Sequence, residues 1–396
     1  MNIIYTSCLV SEKKSRKIWG DSQIYEGYQV QKFHRLFSEG LCLNGCEVNV
    51  LSILPITRKN CKRLFFFGES EYQKKMKYIY PFIINIPWVK YIFGGISVIY
   101  HICKLNNKKD DNFIIADCLN QTAALSSVIA ARILNIPSIG IVTDLPDFLS
   151  GKENKINNFI LRLFDKYILL TDEMSTYIKK NITHKNKPYI VIEGMVDEKV
   201  NPVKLKQNTY KHNTKRICMY AGIVDEKYGL NNLVEGFIEA DIPDAELHIY
   251  GNGEYAEKLK QICKKNTRIR YFGTKKNSFI VEEEQKVDLL VNPRPSTEEF
   301  TKYSFPSKNM EYMVSGTPML TTKLPGMPQE YFPYVYTFED ESATGIAKKL
   351  KQVLSLPREE LYKKGKEAQN YVLSNKSARI QASKVMTWLS SKKNGE

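Results

Sequence analysis

Short apolar runs alternate along this chain with longer stretches in which apolar residues recur at helical spacing. Strands are predicted in the first half at Asn2–Tyr5, Glu47–Ile53, Phe113–Ala116, Ser138–Val142, Lys166–Leu170 and Tyr189–Ile192. Helices are predicted there at Gln29–Leu43 and Ala123–Leu134. This alternation is typical of βαβ units, whose strands form a parallel sheet.

The second half of the chain repeats the same alternation. Its predicted strands are Arg216–Tyr220, Glu246–Tyr250, Ile269–Phe272, Leu289–Asn292 and Pro318–Thr321. Its predicted helices are Asn231–Ala240, Tyr255–Lys264 and Ser307–Ser315. The polar segment Asp197–Thr214 has no strand pattern and is predicted to link the halves. A chain of 396 residues exceeds one ordinary core, so we predict an α/β protein with two doubly wound domains, residues 1–200 and 215–374.

Composition narrows the class of protein. The chain is 43% hydrophobic and 26% charged, as globular proteins are. Its net charge of +15 favours anionic partners such as nucleotide diphosphates or acidic lipid headgroups, whereas the scattered lysines lack the reader motif expected for nucleic acid. The eight cysteines form no CxxC pair and have no histidine at ligand spacing, which predicts reduced thiols and no metal site. The N-terminus lacks a signal-peptide pattern, so we expect a cytoplasmic protein.

The segment Tyr78–Cys103 is strongly apolar and is interrupted by only Lys90 and His101 as ionisable basic side chains. The apolar stretch after Lys90 is shorter than the roughly 20 residues that span a bilayer. Two interpretations stay open: a helix packed in the core, or a helix with one face resting on a membrane. Basic residues near this segment would favour an anionic membrane surface. They are Lys59, Lys62, Arg63, Lys74, Lys75 and Lys77.

The most informative motif is SFPSKNMEYMVSGTP, residues 304–318. Ser307 is a candidate N-cap and Gly316 suits the left-handed position that ends a helix. The start of such a helix favours a phosphate. Lys308 and Glu311 share one face, so Lys308 can reach phosphate or sugar while Glu311 accepts hydrogen bonds from ribose hydroxyls. An exposed salt bridge on an ordinary helix is the alternative.

A second motif, MYAGIVDEKYGL, spans Met219–Leu230. Here a strand ends at Gly222, and a polar loop carrying Lys227 leads to a new helix. Gly222 would let a ligand approach the backbone closely, and Lys227 could stabilise negative charge on a departing diphosphate. A simple turn explains the same pattern equally well.

These motifs stand in an order that resembles a known family. The pieces YAG…EKYGL, LHIYGNGE, NTRIRYFG, VDLLVNPRPS and SFPSKNMEYMVSGTPML cover roughly Arg216–Leu320. Their order and spacing are similar to the C-terminal domain of glycosyltransferase family 4, the group 1 retaining enzymes. More diffusely, QKFHRLFSEGLCLNGCEVNVLS and IPSIGIVTDLP resemble that family's N-terminal domain. The resemblance implies the GT-B fold, in which two Rossmann-like domains face a central cleft.

The resemblance also implies an activity. It is the transfer of a sugar from an NDP-sugar, bound mainly by the C-terminal domain, with retention of configuration and without a metal or other cofactor. Glu311 matches the second glutamate of the family's E-x7-E motif, which binds the ribose, and Lys227 falls near the diphosphate-binding lysine. A final helix, predicted at residues 375–392, would return to the N-terminal domain, although it could instead simply end the second domain.

Departures from the family pattern change the expected contacts. Tyr303 stands where the first glutamate of E-x7-E would be, so Glu299 or Lys308 would have to contact the donor sugar. Ile223 replaces an arginine that often follows the loop glycine, and Arg294 would then supply the positive charge.

In the N-terminal half, Thr143 and Asp144 stand where relatives often carry a His-Asp pair. Asp144 is our candidate for positioning acceptor or donor hydroxyls, with a cap or an Asx-turn as the alternative. His34 is predicted to be packed or solvated rather than catalytic.

Together these features predict a retaining hexosyltransferase acting on a glycan or lipid-linked acceptor in surface polysaccharide biosynthesis. Lys227, Arg294 and the helix start near Ser307 would stabilise the departing diphosphate, so the protein would need no nucleophile of its own. The acceptor would be met in the cytoplasm or at the inner face of the membrane. The alternatives are a sugar-nucleotide epimerase of the same fold and, because of Tyr303 and Ile223, a partner subunit without turnover.

Overall fold

The structure, a computed structural model, describes residues 1–20, 28–106, 111–145, 147, 154–198 and 215–391. The chain divides into two compact units. The first comprises Met1–Met195 and Ala378–Glu396, and the second comprises Val196–Ser377. Most of the predicted linker, residues 199–214, lies outside the described residues.

The first unit contains an eight-stranded sheet. Its strands in order across the sheet are β10 (Tyr189–Val191), β9 (Lys166–Leu169), β8 (Ser138–Val142), β7 (Asn112–Asp117), β1 (Asn2–Ser7), β2 (Glu47–Ser52), β5 (Met76–Tyr80) and β4 (Glu69–Gln73). All neighbours are parallel except β4 and β5, which are antiparallel. A separate antiparallel pair joins β3 (Phe65–Phe66) to β6 (Ile83–Ile84).

The central strands are buried on both faces, as expected for a parallel sheet covered by helices. Every residue of β1, β7 and β8 is buried. The described helices of this unit are α1 (Glu12–Trp19), α2 (Tyr28–Leu43), α3 (Val89–Leu105), α4 (Gln121–Leu134), α5 (Lys155–Leu163), α6 (Asp172–Tyr177) and α13 (Ala378–Ser391). Local chemistry sets their ends: the Asn120 side chain caps α4, and Asn135 ends it in the left-handed conformation.

The second unit contains a six-stranded, fully parallel sheet. Its strands in order are β13 (Ile269–Tyr271), β12 (Ala245–Asn252), β11 (Arg216–Ile223), β14 (Leu289–Asn292), β15 (Met319–Thr321) and β16 (Tyr336–Thr337). The described helices are α7 (Leu230–Ala240), α8 (Ala256–Lys265), α9 (Asn277–Glu284), α10 (Ser307–Ser315), α11 (Ala343–Leu354) and α12 (Arg358–Asn375). The strand order reverses between β11 and β14, as in doubly wound nucleotide-binding domains.

The predicted α/β class and parallel sheets are confirmed, and each predicted strand matches an observed strand to within a few residues. The Tyr78–Cys103 segment differs from the expected single helix. It contains the end of β5, then β6, and then α3, because Pro81 and Pro87 interrupt any continuous helix. The β4–β5 hairpin and helices α11 and α12 were not predicted. Among the described helices, none is both long and apolar enough to cross a membrane.

The last helix of the described chain, α13, packs against α2. It begins at Ala378 rather than at residue 375, because α12 continues to Asn375. The Gln381 side chain donates a hydrogen bond to the Gly194 carbonyl oxygen at 2.9 Å. The helices approach so closely that a Cβ placed on Gly40 would lie 2.1 Å from the Ala378 carbonyl oxygen.

We predict that Gly40→Ala destabilises the first unit by about 1–3 kcal/mol, because α2 and α13 must separate to admit the methyl group. Urea unfolding measures the change. Gly94→Ala in α3 is the matched control, since a Cβ there would meet nothing within 4 Å, and it should stabilise by roughly 0.5–1 kcal/mol. Equal effects of the two variants would show that the helices are not closely packed at Gly40.

Candidate functional site

The candidate site lies in the second unit, at the carboxyl ends of its parallel strands. Ligands of doubly wound sheets bind at this edge, beside the point where the strand order reverses. Here that point is between β11 and β14. Gly222 lies near the end of β11, Arg294 follows β14, and α10 carries Lys308 and Glu311.

Backbone segments at this edge approach each other closely at glycines. Gly229, in the loop after β11, has φ +81° and a Cβ built there would lie 2.0 Å from the Pro293 carbonyl oxygen in the loop after β14. Gly251, in β12, has φ +126° and a Cβ there would lie 1.8 Å from the carbonyl oxygen of Gly222 in β11. Side chains at either position are excluded by both space and backbone conformation. The end of β11 is therefore held against the end of β12, and the loop after β11 is held against the loop after β14.

Lys308 and Glu311 form an ion pair on one face of α10. Lys308 Nζ lies 2.6 Å from Glu311 Oε2, and the Glu311 side chain is 6% exposed. Burial alone would lower the pKa of Lys308, but the carboxylates of Glu311 and Glu284 outweigh it and raise this pKa. Lys308 therefore carries its positive charge at neutral pH. The i,i+3 salt bridge that the alternative expected is therefore present, but its carboxylate is buried rather than exposed.

The start of α10 differs from the prediction at Ser307. The N-cap residue is Pro306, which has no side-chain cap, and Ser307 is the first helical residue. Proline supplies a φ of −65° but no side-chain oxygen, so only its backbone carbonyl accepts from the first turn, from the Asn309 N–H at 2.9 Å. Ser307 thus does not cap the helix. Gly316 ends it with φ +81°, as predicted.

Lys227 and Arg294 are brought together through one aromatic ring. Lys227 Nζ lies 5.4 Å from the centroid of the Tyr228 ring, and the Arg294 guanidinium carbon lies 5.1 Å from it. The Arg294 guanidinium also lies 5.4 Å from the ring centroid of Phe300. Asp225 fixes the turn by accepting from the Lys227 backbone N–H at 3.0 Å. Two cations therefore stand beside the loop contact, in an arrangement suited to an anion.

The segment that departs from the family motif forms a short helical turn, Glu299–Lys302, ended by Tyr303. The Glu299 side chain is exposed, and its neighbour Phe300 contacts Arg294. Thr301, buried, donates to the Glu298 carbonyl oxygen at 2.6 Å. The turn thus positions the ring under Arg294. In the described part of the chain, no group of three His, Cys, Asp or Glu side chains is arranged to hold a metal ion.

Two buried tyrosines that were not predicted as site residues form hydrogen bonds with the backbone at this edge of the sheet. Tyr312 on α10 accepts from the Ala221 backbone N–H at 2.9 Å, so the helix is tied to β11. The Tyr220 hydroxyl donates to the Ile223 carbonyl oxygen at 2.7 Å. Burial raises the pKa of both phenols. A tyrosine inside an otherwise apolar stretch is the sequence signal that could have indicated such a partner.

The remaining candidate, Asp144, lies in the first unit just beyond the end of β8 and is half-buried. In the same unit His34 is fully buried. His34 Nδ1 lies 2.5 Å from the Tyr5 hydroxyl, and His34 Nε2 lies 3.5 Å from Asp117 Oδ2. His34 is thus a packed core residue, as predicted.

Comparisons with known proteins bear on the fold of the chain and on the sequence of its second unit. Residues 203–370 match the family model of the glycosyl transferases group 1. Among solved structures, sucrose-phosphate synthase from Thermosynechococcus elongatus is similar at TM-score 0.68 and 14% identity, covering 100% of both chains. Anabaena HepE in complex with UDP has TM-score 0.65 and 13% identity, covering 99% of this chain and 100% of that one. Among curated protein sequences no match was found.

A third structure, the lipopolysaccharide outer core galactosyltransferase WaaB, has TM-score 0.62 and 15% identity, covering 99% of this chain and 100% of that one. The chain therefore has the GT-B fold. Its second unit carries the sequence pattern of the group 1 glycosyl transferases.

We predict that Gly222→Ala and Tyr220→Phe are not additive in a double-mutant cycle. A Cβ on Gly222 would lie 2.7 Å from the Tyr220 hydroxyl oxygen, so Gly222→Ala alone should cost about 1–3 kcal/mol. Tyr220→Phe removes that oxygen and one hydrogen bond, at a cost of about 1 kcal/mol. Urea unfolding of the double variant should show less than the summed loss. Simple additivity would mean that the hydroxyl does not restrict this position.

Proposed function

We propose that this protein is a retaining glycosyltransferase of family 4, which transfers a hexose from an NDP-sugar to a glycan or lipid-linked acceptor. The observation that carries the proposal is the buried Glu311 carboxylate, paired with Lys308 in the first turns of α10. A buried carboxylate beside a helix start and two further cations is suited to a ligand with both hydroxyls and a diphosphate.

Different residues of the second unit bind different parts of the donor. Glu311 accepts hydrogen bonds from the ribose hydroxyls, and Lys308 contacts the phosphate or the sugar. The backbone at Gly222 contacts the diphosphate on the side away from Tyr220, whose hydroxyl fills the space of a Cβ, and the first-turn N–H groups near Ser307 face the diphosphate. Glu299 contacts the donor sugar in place of the glutamate replaced by Tyr303. The UDP complex of HepE supports a nucleotide-sugar donor by analogy.

Catalysis depends on positive charge at the leaving group. The bond between the anomeric carbon and the phosphate oxygen breaks while the acceptor oxygen bonds to that carbon on the same face. The acceptor proton passes to the phosphate oxygen, and Lys227 and Arg294 stabilise the diphosphate as its charge grows. We propose no metal and no protein nucleophile in this step.

The acceptor side is assigned to the first unit. We propose that Asp144 positions acceptor or donor hydroxyls from the end of β8. We also propose that the acceptor belongs to surface polysaccharide or lipid-linked glycan synthesis, and that the protein works in the cytoplasm at the inner face of the membrane. Exposed apolar side chains on α3 support that location.

A partner subunit without turnover is the second candidate. It is favoured by Tyr303 in place of a motif glutamate and by Ile223, whose side chain is 53% exposed beside the site in place of an arginine. Such a subunit would still bind nucleotide, so binding and turnover have to be measured separately.

We predict that Glu311→Ala weakens binding of UDP, GDP or ADP by about 100-fold with the fold intact, because two hydrogen bonds to a charged acceptor are lost. Isothermal titration calorimetry measures the affinity. Glu282→Ala, at an exposed position on α9, is the matched control and should leave the affinity unchanged. Equal affinities in wild type and Glu311→Ala would remove the ribose role and the proposal's main support.

A further inference from the structure

Helix α3 of the first unit presents a continuous apolar stripe to solvent. Trp88, at the N-cap, is 79% exposed, Ile92 62%, Ile96 61% and Tyr100 60%. Ile92, Ile96 and Tyr100 are four residues apart within α3, which places these three side chains on one face of the helix, and Trp88 stands immediately before it. Large side chains seldom line up in this way on a surface that meets only water.

The opposite face of α3 is buried. Gly94, Gly95, Val98 and Ile102 are buried, and the helix packs on α4. A Cβ on Gly95 would lie 3.0 Å from the Ser126 hydroxyl oxygen of α4. The core of the first unit already packs against the buried face of α3. The apolar stripe is therefore a separate surface and not a part of the core that loose packing leaves exposed.

Strand β6 of the β3–β6 pair contacts α3, and two more exposed rings lie in and next to β3. Phe67 is 70% exposed and Phe65 49%. Lys90 in the first turn of α3 donates to the Ile56 carbonyl oxygen at 2.6 Å. This bond fixes the loop before β3 against the helix. We call the stripe on α3 together with Phe65 and Phe67 the α3 surface.

Charge around the α3 surface has one sign. The loop before β3 carries four exposed basic side chains. They are Arg58, Lys59, Lys62 and Arg63. Residues 54–68 and 81–106 include no aspartate or glutamate. Of the acidic residues that follow in β4, Glu69 pairs with Lys14, and Glu71 accepts from Ser11 and Tyr80.

Not every basic residue predicted to face a membrane belongs to this surface. Lys74, at the turn between β4 and β5, pairs with Glu39 of α2 at 2.6 Å. Lys77 lies 5.8 Å from the ring centroid of Tyr72. The basic rim is therefore the loop before β3 rather than the β4–β5 hairpin.

Trp88 also has an unfavourable backbone conformation. Its φ is +66°, a region that bulky residues rarely occupy. The Trp88 carbonyl oxygen accepts from the Tyr91 and Ile92 N–H groups, but its exposed ring makes no cap hydrogen bond and is not part of the core. Outliers of this kind point to a functional contact, and tryptophan is typical of the layer between lipid and water.

We propose that the α3 surface docks the protein on an anionic lipid bilayer, with α3 lying along the membrane and the basic loop contacting lipid headgroups. The inference deepens the proposed function, on which it rests only for the identity of the acceptor. A second copy of this chain fits less well, because a two-fold interface on this surface would bring two basic loops together.

Co-sedimentation with vesicles tests the proposal. The wild-type chain should sediment with vesicles of phosphatidylcholine and phosphatidylglycerol at low ionic strength, and should bind weakly at high ionic strength or to phosphatidylcholine alone. Lys59→Gln with Lys62→Gln should reduce partitioning by about 30-fold. Ile92→Ser with Ile96→Ser should reduce it by about tenfold per residue.

Matched controls come from the second unit. Lys264→Gln with Lys265→Gln removes two exposed lysines of α8, and Ile238→Ser removes an isoleucine that is 39% exposed. Both should partition like wild type. The readout is partitioning onto vesicles. A failure of partitioning would leave nucleotide binding at Glu311 unaffected, and a failure of nucleotide binding would leave partitioning unaffected.

Three results would overturn the docking surface. The first is a wild-type chain that does not bind anionic vesicles at low ionic strength. The second is unchanged partitioning of the Ile92→Ser, Ile96→Ser variant. The third is a wild-type dimer in sedimentation velocity that this variant makes monomeric without any vesicle binding, which would assign the surface to a second copy.

Discussion

The close contact of β11 and its following loop with β12 and with the loop after β14 is the constraint on which the candidate site depends. Gly251 and Gly229 allow backbone to meet backbone at distances that no side chain would permit. The contact lies where the strand order reverses. It fixes the path of the loops that carry the two cations, Lys227 and Arg294, and of the chain that leads to α10. The groups that could contact a ligand are therefore held together at one short part of the sheet edge, which a flexible loop would not do.

Electrostatics follow from that geometry. α10 is tied to β11 through Tyr312, so the Glu311 carboxylate stays buried and is compensated by Lys308. Arg294 is held over the rings of Tyr228 and Phe300. The site therefore combines one neutralised pair with cations suited to a diphosphate.

Alternation of apolar runs and helical stretches was enough to predict both parallel sheets, because buried β-branched strands such as β1 and β8 have a strong local signal. Strand β4 has no apolar run because it is mostly exposed, and the β4–β5 hairpin depends on the pairing of the buried strand β5 with β2. Ser307 was misjudged because its hydroxyl makes it a good cap in isolation, while Pro306 already occupies that position. Lys308 and Glu311 could be paired from spacing alone, but the burial of Glu311 required the tertiary packing of α10. The support of Lys227 and Arg294 by Tyr228 depends on two loops far apart in sequence.

Turnover in the wild type and in Lys227→Ala is the most direct test of the proposed transfer reaction. Hydrolysis or transfer should be measured with UDP-, GDP- and ADP-sugars, and donor affinity should be measured separately by calorimetry. The proposed reaction predicts that the wild type releases nucleotide diphosphate from one of these donors. It also predicts that Lys227→Ala lowers kcat by about 10²–10³ with a much smaller change in affinity, because charge on the leaving group grows toward the transition state. Tight donor binding by the wild type with no turnover, or an unchanged kcat in Lys227→Ala, would contradict it.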